Sequence, residues 1–87
     1  MKLSVEISMY PLQDEYRPKI KDFLDVINTC EEVEIRSSNM STRIFGDYQV
    51  VTELLNTAMR QSMEKYGKIV FVCKYLQGDA RELKGYE

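Results

Sequence analysis

The pattern of apolar residues predicts an α+β fold, a four-stranded antiparallel sheet with two helices on one face. Three stretches carry this expectation. Leu3, Val5, Ile7 and Met9 alternate with Ser4, Glu6 and Ser8, as in a half-buried strand. Val50, Val51, Leu54, Leu55, Ala58, Met59, Met63 and Tyr66 recur at helical spacing. Lys68 to Leu76 is rich in β-branched and aromatic residues and too short for a separate helix.

Taken in order, the first strand runs from Leu3 to Met9 and ends at Tyr10-Pro11, because proline has no amide proton for a ladder. Tyr16, Ile20, Phe23, Leu24 and Ile27 then form the apolar stripe of a first helix that ends near Asn28 or Thr29. Asp14 is a candidate N-cap, but Pro18 disfavours helical backbone at Arg17, so the regular helix is expected to begin as late as Pro18. Val33 and Ile35 alternate with Glu34 and Arg36, and the alternation resumes from Met40 to Phe45 after a turn at Ser37-Ser38-Asn39.

Gly46 is expected to let the chain leave the sheet, and Asp47 to cap the second helix, which stops at Gly67. The segment from Lys68 to Leu76 is read as a largely buried fourth strand. The resulting β-α-β-β-α-β order is the split pattern of ferredoxin-like domains. A single domain over residues 1–79 is expected, followed by a polar tail at 80–87 that is either partly mobile or folded over a neighbouring element.

One face of such a sheet is left uncovered. Glu6, Ser8, Arg36 and Ser38 point to it, and the parity of the hairpin and last strand decides whether Arg43 or Thr42, and Lys74 or Cys73, join them. A mixed face of this kind suits a polar binding surface or a wet subunit interface.

A chain of 87 residues can hold one modest core. Its 44% hydrophobic and 30% charged residues are ordinary globular values. Twelve basic and 14 acidic residues are interspersed for a net charge of -2, so no basic stripe is available to neutralise a nucleic acid. No stretch is long and apolar enough for a signal peptide or membrane span, which makes the cytoplasm the expected location. Cys30 and Cys73 are far apart and the chain has no histidine, so neither a zinc site nor a histidine-activated nucleophile is expected. No Gly-rich phosphate loop precedes either helix, which counts against nucleotides.

Ser8-Met9-Tyr10-Pro11-Leu12, followed by Asp14, and Met40-Ser41-Thr42-Arg43-Ile44-Phe45-Gly46 carry a likeness to a known group. With the order of elements from Leu3 to about Asp79, they resemble the YkoF-like thiamin/hydroxymethylpyrimidine-binding family and the related single-domain thiamin-binding-like proteins. The resemblance implies a ferredoxin-like domain that holds thiamin or its hydroxymethylpyrimidine part without chemistry, in support of vitamin uptake or salvage. It also implies self-association as a homodimer or tetramer, because some members carry two such domains in tandem. No catalytic residue, metal or cofactor is expected, thiamin being the ligand itself.

The resemblance points to the Ser8 and Tyr10 region and to the Ser41 and Thr42 region as the site. Chemistry adds Glu6, as a carboxylate to offset a thiazolium charge, and Asn39, as a donor and acceptor for an aminopyrimidine edge. Tyr10 and Phe45 offer ring faces for stacking. Each residue also has a plain structural role open to it: Ser8 and Thr42 as strand residues, Tyr10 as edge packing, Asn39 as a turn residue, and Glu6 as the ion-pair partner of Arg36 or Arg43. Two other classes share this element order. One is a small dimeric α+β barrel enzyme, disfavoured by the missing histidine. The other is a regulatory or structural module that assembles through its sheet.

Overall fold

The computed structural model describes residues 1–82. Its elements are β1 (Lys2–Pro11), α1 (Tyr16–Ile27), β2 (Glu34–Ser37), β3 (Thr42–Asp47), α2 (Tyr48–Tyr66), β4 (Ile69–Gln77) and a short 3-10 turn, Ala80–Glu82. The strands form one antiparallel sheet in the order β2-β3-β1-β4, the ferredoxin-like arrangement that the sequence predicts. Leu3, Val5 and Ile7 of β1 and Ile44 of β3 meet Phe23 and Ile27 of α1 and Val51, Leu55 and Ala58 of α2 in one core. Phe23 also packs on Phe71 of β4, with ring centroids 5.3 Å apart.

Several local expectations are corrected. α1 begins at Tyr16, two residues before Pro18, and Glu15 rather than Asp14 occupies the cap position. Pro18 is tolerated there because the first helical amides have no intrahelical acceptor to lose. Asp47 does precede α2, but its side chain makes no capping bond; it pairs with Lys2 at 3.0 Å while Tyr48 N–H donates to the Met1 carbonyl.

Gly46 does not release the chain from the sheet: it pairs with Leu3 inside β3. Its value is space, since a Cβ there would lie 3.0 Å from Val33 Cγ1 and 3.2 Å from Val51 Cγ2. Gly67, at φ +86°, ends α2 as expected. Met40 lies in the β2–β3 turn rather than in β3. Within α2 the most buried side chains are Val51, Leu55, Ala58 and Ser62, whereas Met63 is exposed.

The fourth strand differs most from expectation. Among its side chains only Ile69 is buried, and Val70, Val72, Tyr75 and Leu76 are exposed. The pairing register explains the pattern. Val70, Val72, Lys74 and Leu76 lie opposite Tyr10, Ser8, Glu6 and Ser4 on the face away from the helices. The same register puts Arg43 and Lys74 on that outer face, and Thr42 and Cys73 on the inner one. Burial pushes the Cys73 thiol above its ordinary pKa, so little thiolate forms at neutral pH.

Past β4 the chain turns at Gly78 and crosses the outer face of its own sheet. The Gly78 N–H donates to the Lys2 carbonyl, Ser4 Oγ donates to the Gly78 carbonyl at 2.9 Å, and the Ala80 N–H donates to Ser4 Oγ at 2.8 Å. Arg81 lies over the Phe45 ring at 5.4 Å and bonds Glu34 at 2.9 Å, while Arg36 stacks at 5.4 Å on the same ring. Phe45 is thereby 96% covered although it faces away from the core, its remaining exposure being 4%. Of the polar tail, residues 80–82 form this strap, and 83–87 lie outside the described residues.

Arg81 also holds the Asp79 carboxyl at about 2, well below its ordinary 3.8. A depressed carboxylate contributes to the strap above its ordinary pKa and loses that contribution as pH falls through the lowered one. The strap is therefore expected to hold at neutral pH and to loosen between about pH 4 and pH 2. The Arg81 Nε–H and Ala80 amide resonances, followed by acid titration, should move together in that window. Asp79→Asn should remove the transition.

Candidate functional site

The sheet opens at one corner, and the opening comes from unequal ladders. β1 pairs with β3 only as far as Ile7↔Thr42, whereas against β4 it continues to Pro11↔Ile69. From Ser8 to Tyr10 the edge of β1 that faces away from β4 is thus not covered by β3. The turn between β2 and β3 swings off it, and α1 passes across the inner side. The space between is a pocket of about 470 Å³, within the range of small-molecule sites.

Ser8, Tyr10, Asn39, Ser41 and Thr42, five of the residues singled out from the sequence, all line this pocket. The two motif stretches, more than twenty-five residues apart in the chain, form opposing walls. Ser8 Oγ lies 3.5 Å from the Met40 carbonyl, a long contact that leaves its hydroxyl available. Thr42 is buried, with its Oγ1 3.2 Å from Ser37 Oγ. Ser38 shapes the turn: its Oγ accepts from the Met40 and Ser41 amides and its N–H donates to the Ser41 carbonyl.

Glu6 sits apart, one pleat back on the outer face and not in the pocket wall. Its carboxylate accepts from Ser41 Oγ at 3.0 Å and pairs with Lys74 at 3.5 Å, rather than with Arg36 or Arg43. Exposed as this pair is, it contributes about 0–1 kcal/mol, so its main effect is to fix the Ser41 rotamer. Phe45 is no ring wall for a ligand, since it is buried at the far end of the sheet with Arg36 and Arg81 both over its ring.

The apolar wall comes instead from α1 and the loop before it. Tyr16, Ile20, Phe23 and Leu24, read as core stripe, line the pocket together with Leu12. Nothing in their spacing distinguishes a stripe over a sheet from one that extends past its end. Tyr10 and Tyr16 are 53% and 47% exposed, leaving two rings free at the mouth.

The loop that carries Leu12 is tied down from the other side. Leu12 N–H donates to the Lys68 carbonyl, and Gln13 donates to the Tyr66 carbonyl while accepting from Lys19. Asp22 Oδ2 then accepts from Tyr66 OH at 2.8 Å and Lys65 Nζ at 3.0 Å, bonds that hold its carboxyl below the usual carboxylate range. The corner is apolar on the α1 side and polar along the β1 edge and the turn. It suits a flat, partly aromatic ligand whose polar edge meets backbone and hydroxyl groups. Among the described residues no group of three or more His, Cys, Asp or Glu is placed to hold a metal ion.

A fold of this order, with a pocket at its open corner, is a small ferredoxin-like α+β domain. The model of the YKOF-related family matches residues 2–79, and the chain belongs to that family. Similar solved structures include a Streptococcus pneumoniae protein, 18% identical, with 95% of this chain and 93% of the other covered at a TM-score of 0.85. A hypothetical protein of Methanocaldococcus jannaschii is also 18% identical, over 93% of this chain and 84% of the other, with a TM-score of 0.76. A proposed thiamine biosynthesis/salvage protein of Thermotoga maritima is 14% identical, over 86% of this chain and 82% of the other, with a TM-score of 0.76. At these identities the likeness concerns the fold. No curated protein sequence matches the chain. No helix of the described residues is long and apolar enough to cross a membrane.

Proposed function

We propose that this protein binds thiamin, or its hydroxymethylpyrimidine moiety, in the corner pocket without catalysing a reaction, and so supports vitamin uptake or salvage in the cytoplasm. The observation that carries the proposal is the convergence of Ser8-Met9-Tyr10-Pro11-Leu12 and Asn39-Met40-Ser41-Thr42 on one pocket of about 470 Å³. Membership of the YKOF-related family and the Thermotoga maritima neighbour's proposed role in thiamine biosynthesis or salvage support the choice of ligand.

In this reading the aminopyrimidine slides between Tyr16 and the β1 edge, where backbone groups between Ser8 and Tyr10 and the Ser8, Asn39 and Thr42 side chains meet its nitrogens. The thiazolium is left towards the mouth, beside the Tyr10 ring. The Glu6 carboxylate, held by Ser41 and paired with Lys74, stays outside the pocket wall and acts on the site through the Ser41 hydroxyl. We propose further that the working species is a homodimer or tetramer.

Titration calorimetry with thiamin, hydroxymethylpyrimidine and thiamin diphosphate is the test. Saturable heat with thiamin or the pyrimidine, and weaker binding of the diphosphate, is expected. Absence of heat and of thermal stabilisation with all three would sink the ligand assignment.

A further inference from the structure

The turn that walls the pocket directs its hydrogen-bond donors away from the ligand space. The Ser38 N–H donates to the Ser41 carbonyl at 2.9 Å, and the Met40 and Ser41 amides donate to Ser38 Oγ at 3.2 and 3.4 Å. The Ser41 hydroxyl is committed as well. A carboxylate only accepts, so in the 3.0 Å contact between Ser41 Oγ and Glu6 Oε2 the proton belongs to Ser41 and points at Glu6. Lys74 Nζ holds the other carboxylate oxygen, Oε1, at 3.5 Å. Ser41 is half-buried and lines the pocket, as does Met40, whose carbonyl receives the long 3.5 Å contact from Ser8 Oγ. What Ser41 Oγ and the Met40 carbonyl can offer a ligand is therefore lone pairs, not protons.

We propose that Glu6 is a positioning residue that sets the specificity of the pocket. By holding the Ser41 proton it makes Ser41 Oγ an acceptor only, which selects a pyrimidine bearing an exocyclic amino group over one bearing a carbonyl oxygen in its place. The inference rests on the thiamin reading above, whose aminopyrimidine carries that group. Ser8 and Ser41 are the next residues on the two chains past the last rung, Ile7↔Thr42, so Ser41 stands where the ladder opens. An amino N–H directed at Ser41 Oγ completes a chain of bonds in which the ligand donates to Ser41 and both Ser41 and Lys74 donate to Glu6, each bond polarising the next. A carbonyl oxygen at the same place would face the Ser41 lone pairs with no proton between them, and both acceptors would go unpaired away from water. Glu6 itself touches no ligand atom in this arrangement.

The test compares thiamin with oxythiamin, which carries a carbonyl oxygen in place of the pyrimidine amino group. Both affinities are measured by calorimetry on wild type, Glu6→Gln and Ser41→Ala, with circular dichroism as the check of folding. In Glu6→Gln the amide oxygen stays with the Lys74 ammonium, which needs an acceptor, so the amide N–H turns to Ser41 and the Ser41 proton is released to the pocket. Wild type is expected to prefer thiamin by about tenfold or more. Glu6→Gln is expected to bring the two affinities within about threefold of each other, by weakening thiamin and strengthening oxythiamin. Loss of a merely structural contact would lower both affinities together and keep their ratio. Ser41→Ala is expected to weaken thiamin and to remove the preference. Equal binding of the two compounds by wild type, a wild-type ratio in folded Glu6→Gln, or a preference that survives in Ser41→Ala would overturn the role of Glu6 and leave thiamin binding standing. Wild type that takes up neither compound would overturn the thiamin assignment and this inference with it.

Discussion

Leu55→Ala should lower the free energy of unfolding by about 2–5 kcal/mol, among the larger single-residue effects expected of this core. Leu55 stands at the middle of α2, is fully buried, and packs with Val51 and Ala58 against the sheet and α1. Truncation removes apolar contacts and leaves a cavity that a helix pinned by neighbours on both sides cannot collapse. A domain of this size has only about 5–15 kcal/mol to lose, and each kcal/mol corresponds to roughly 4–8 °C of melting temperature. Urea denaturation followed by circular dichroism measures it. Met63→Ala on the same helix, 45% exposed, should cost less than about 1 kcal/mol. Equal losses at the two positions would mean that α2 is rotated from the orientation described.

Ser8→Ala combined with Thr42→Ala should weaken thiamin binding roughly 5- to 150-fold, the loss of two hydrogen bonds at about 0.5–1.5 kcal/mol each. Ser8 is half-buried on the β1 edge that β3 leaves open, and Thr42 begins β3 across the pocket. Thr42 also packs in the interior and touches Ser37, so stability must be measured alongside. Thr42→Ser keeps the hydroxyl and should recover most of the affinity. Assembly should change little. Unchanged thiamin affinity in a folded double variant would contradict the placement of the ligand between these walls.

The parts of the fold that could be read from the chain are those governed by local periodicity. Alternation from Leu3 to Met9 assigns β1 and its faces, and the Val51, Leu55, Ala58 stripe assigns α2. β4 departs from its expected burial because Ile69, Phe71 and Cys73 and the intervening Val70 and Val72 are all apolar, and a continuous run has the same pattern whether its second face is buried or open. The cap at Asp47 fails for a non-local reason: Lys2 competes for its carboxylate, and Met1 takes the Tyr48 amide.

The two motifs name Ser8, Tyr10, Ser41 and Thr42, which line the pocket, but the pocket itself arises because one ladder ends at Ile7 and the other at Pro11. That inequality depends on how far the β2–β3 turn opens and has no signature in either strand. The α1 wall was hidden for the same reason, since Tyr16 and Ile20 continue a stripe whose other members are core. Glu6 was placed on the right face, but its partners, Ser41 and Lys74, depend on the hairpin register.

The most direct test of the central claim is a backbone amide spectrum of the uniformly labelled protein titrated with thiamin. Shifts concentrated at Ser8, Met9, Tyr10 and the Asn39 to Thr42 turn, with α1 residues Tyr16 and Ile20 following and the strap at Gly78 to Arg81 still, are the predicted result. Saturable binding whose shifts fall elsewhere, or no shifts at millimolar thiamin, would contradict it.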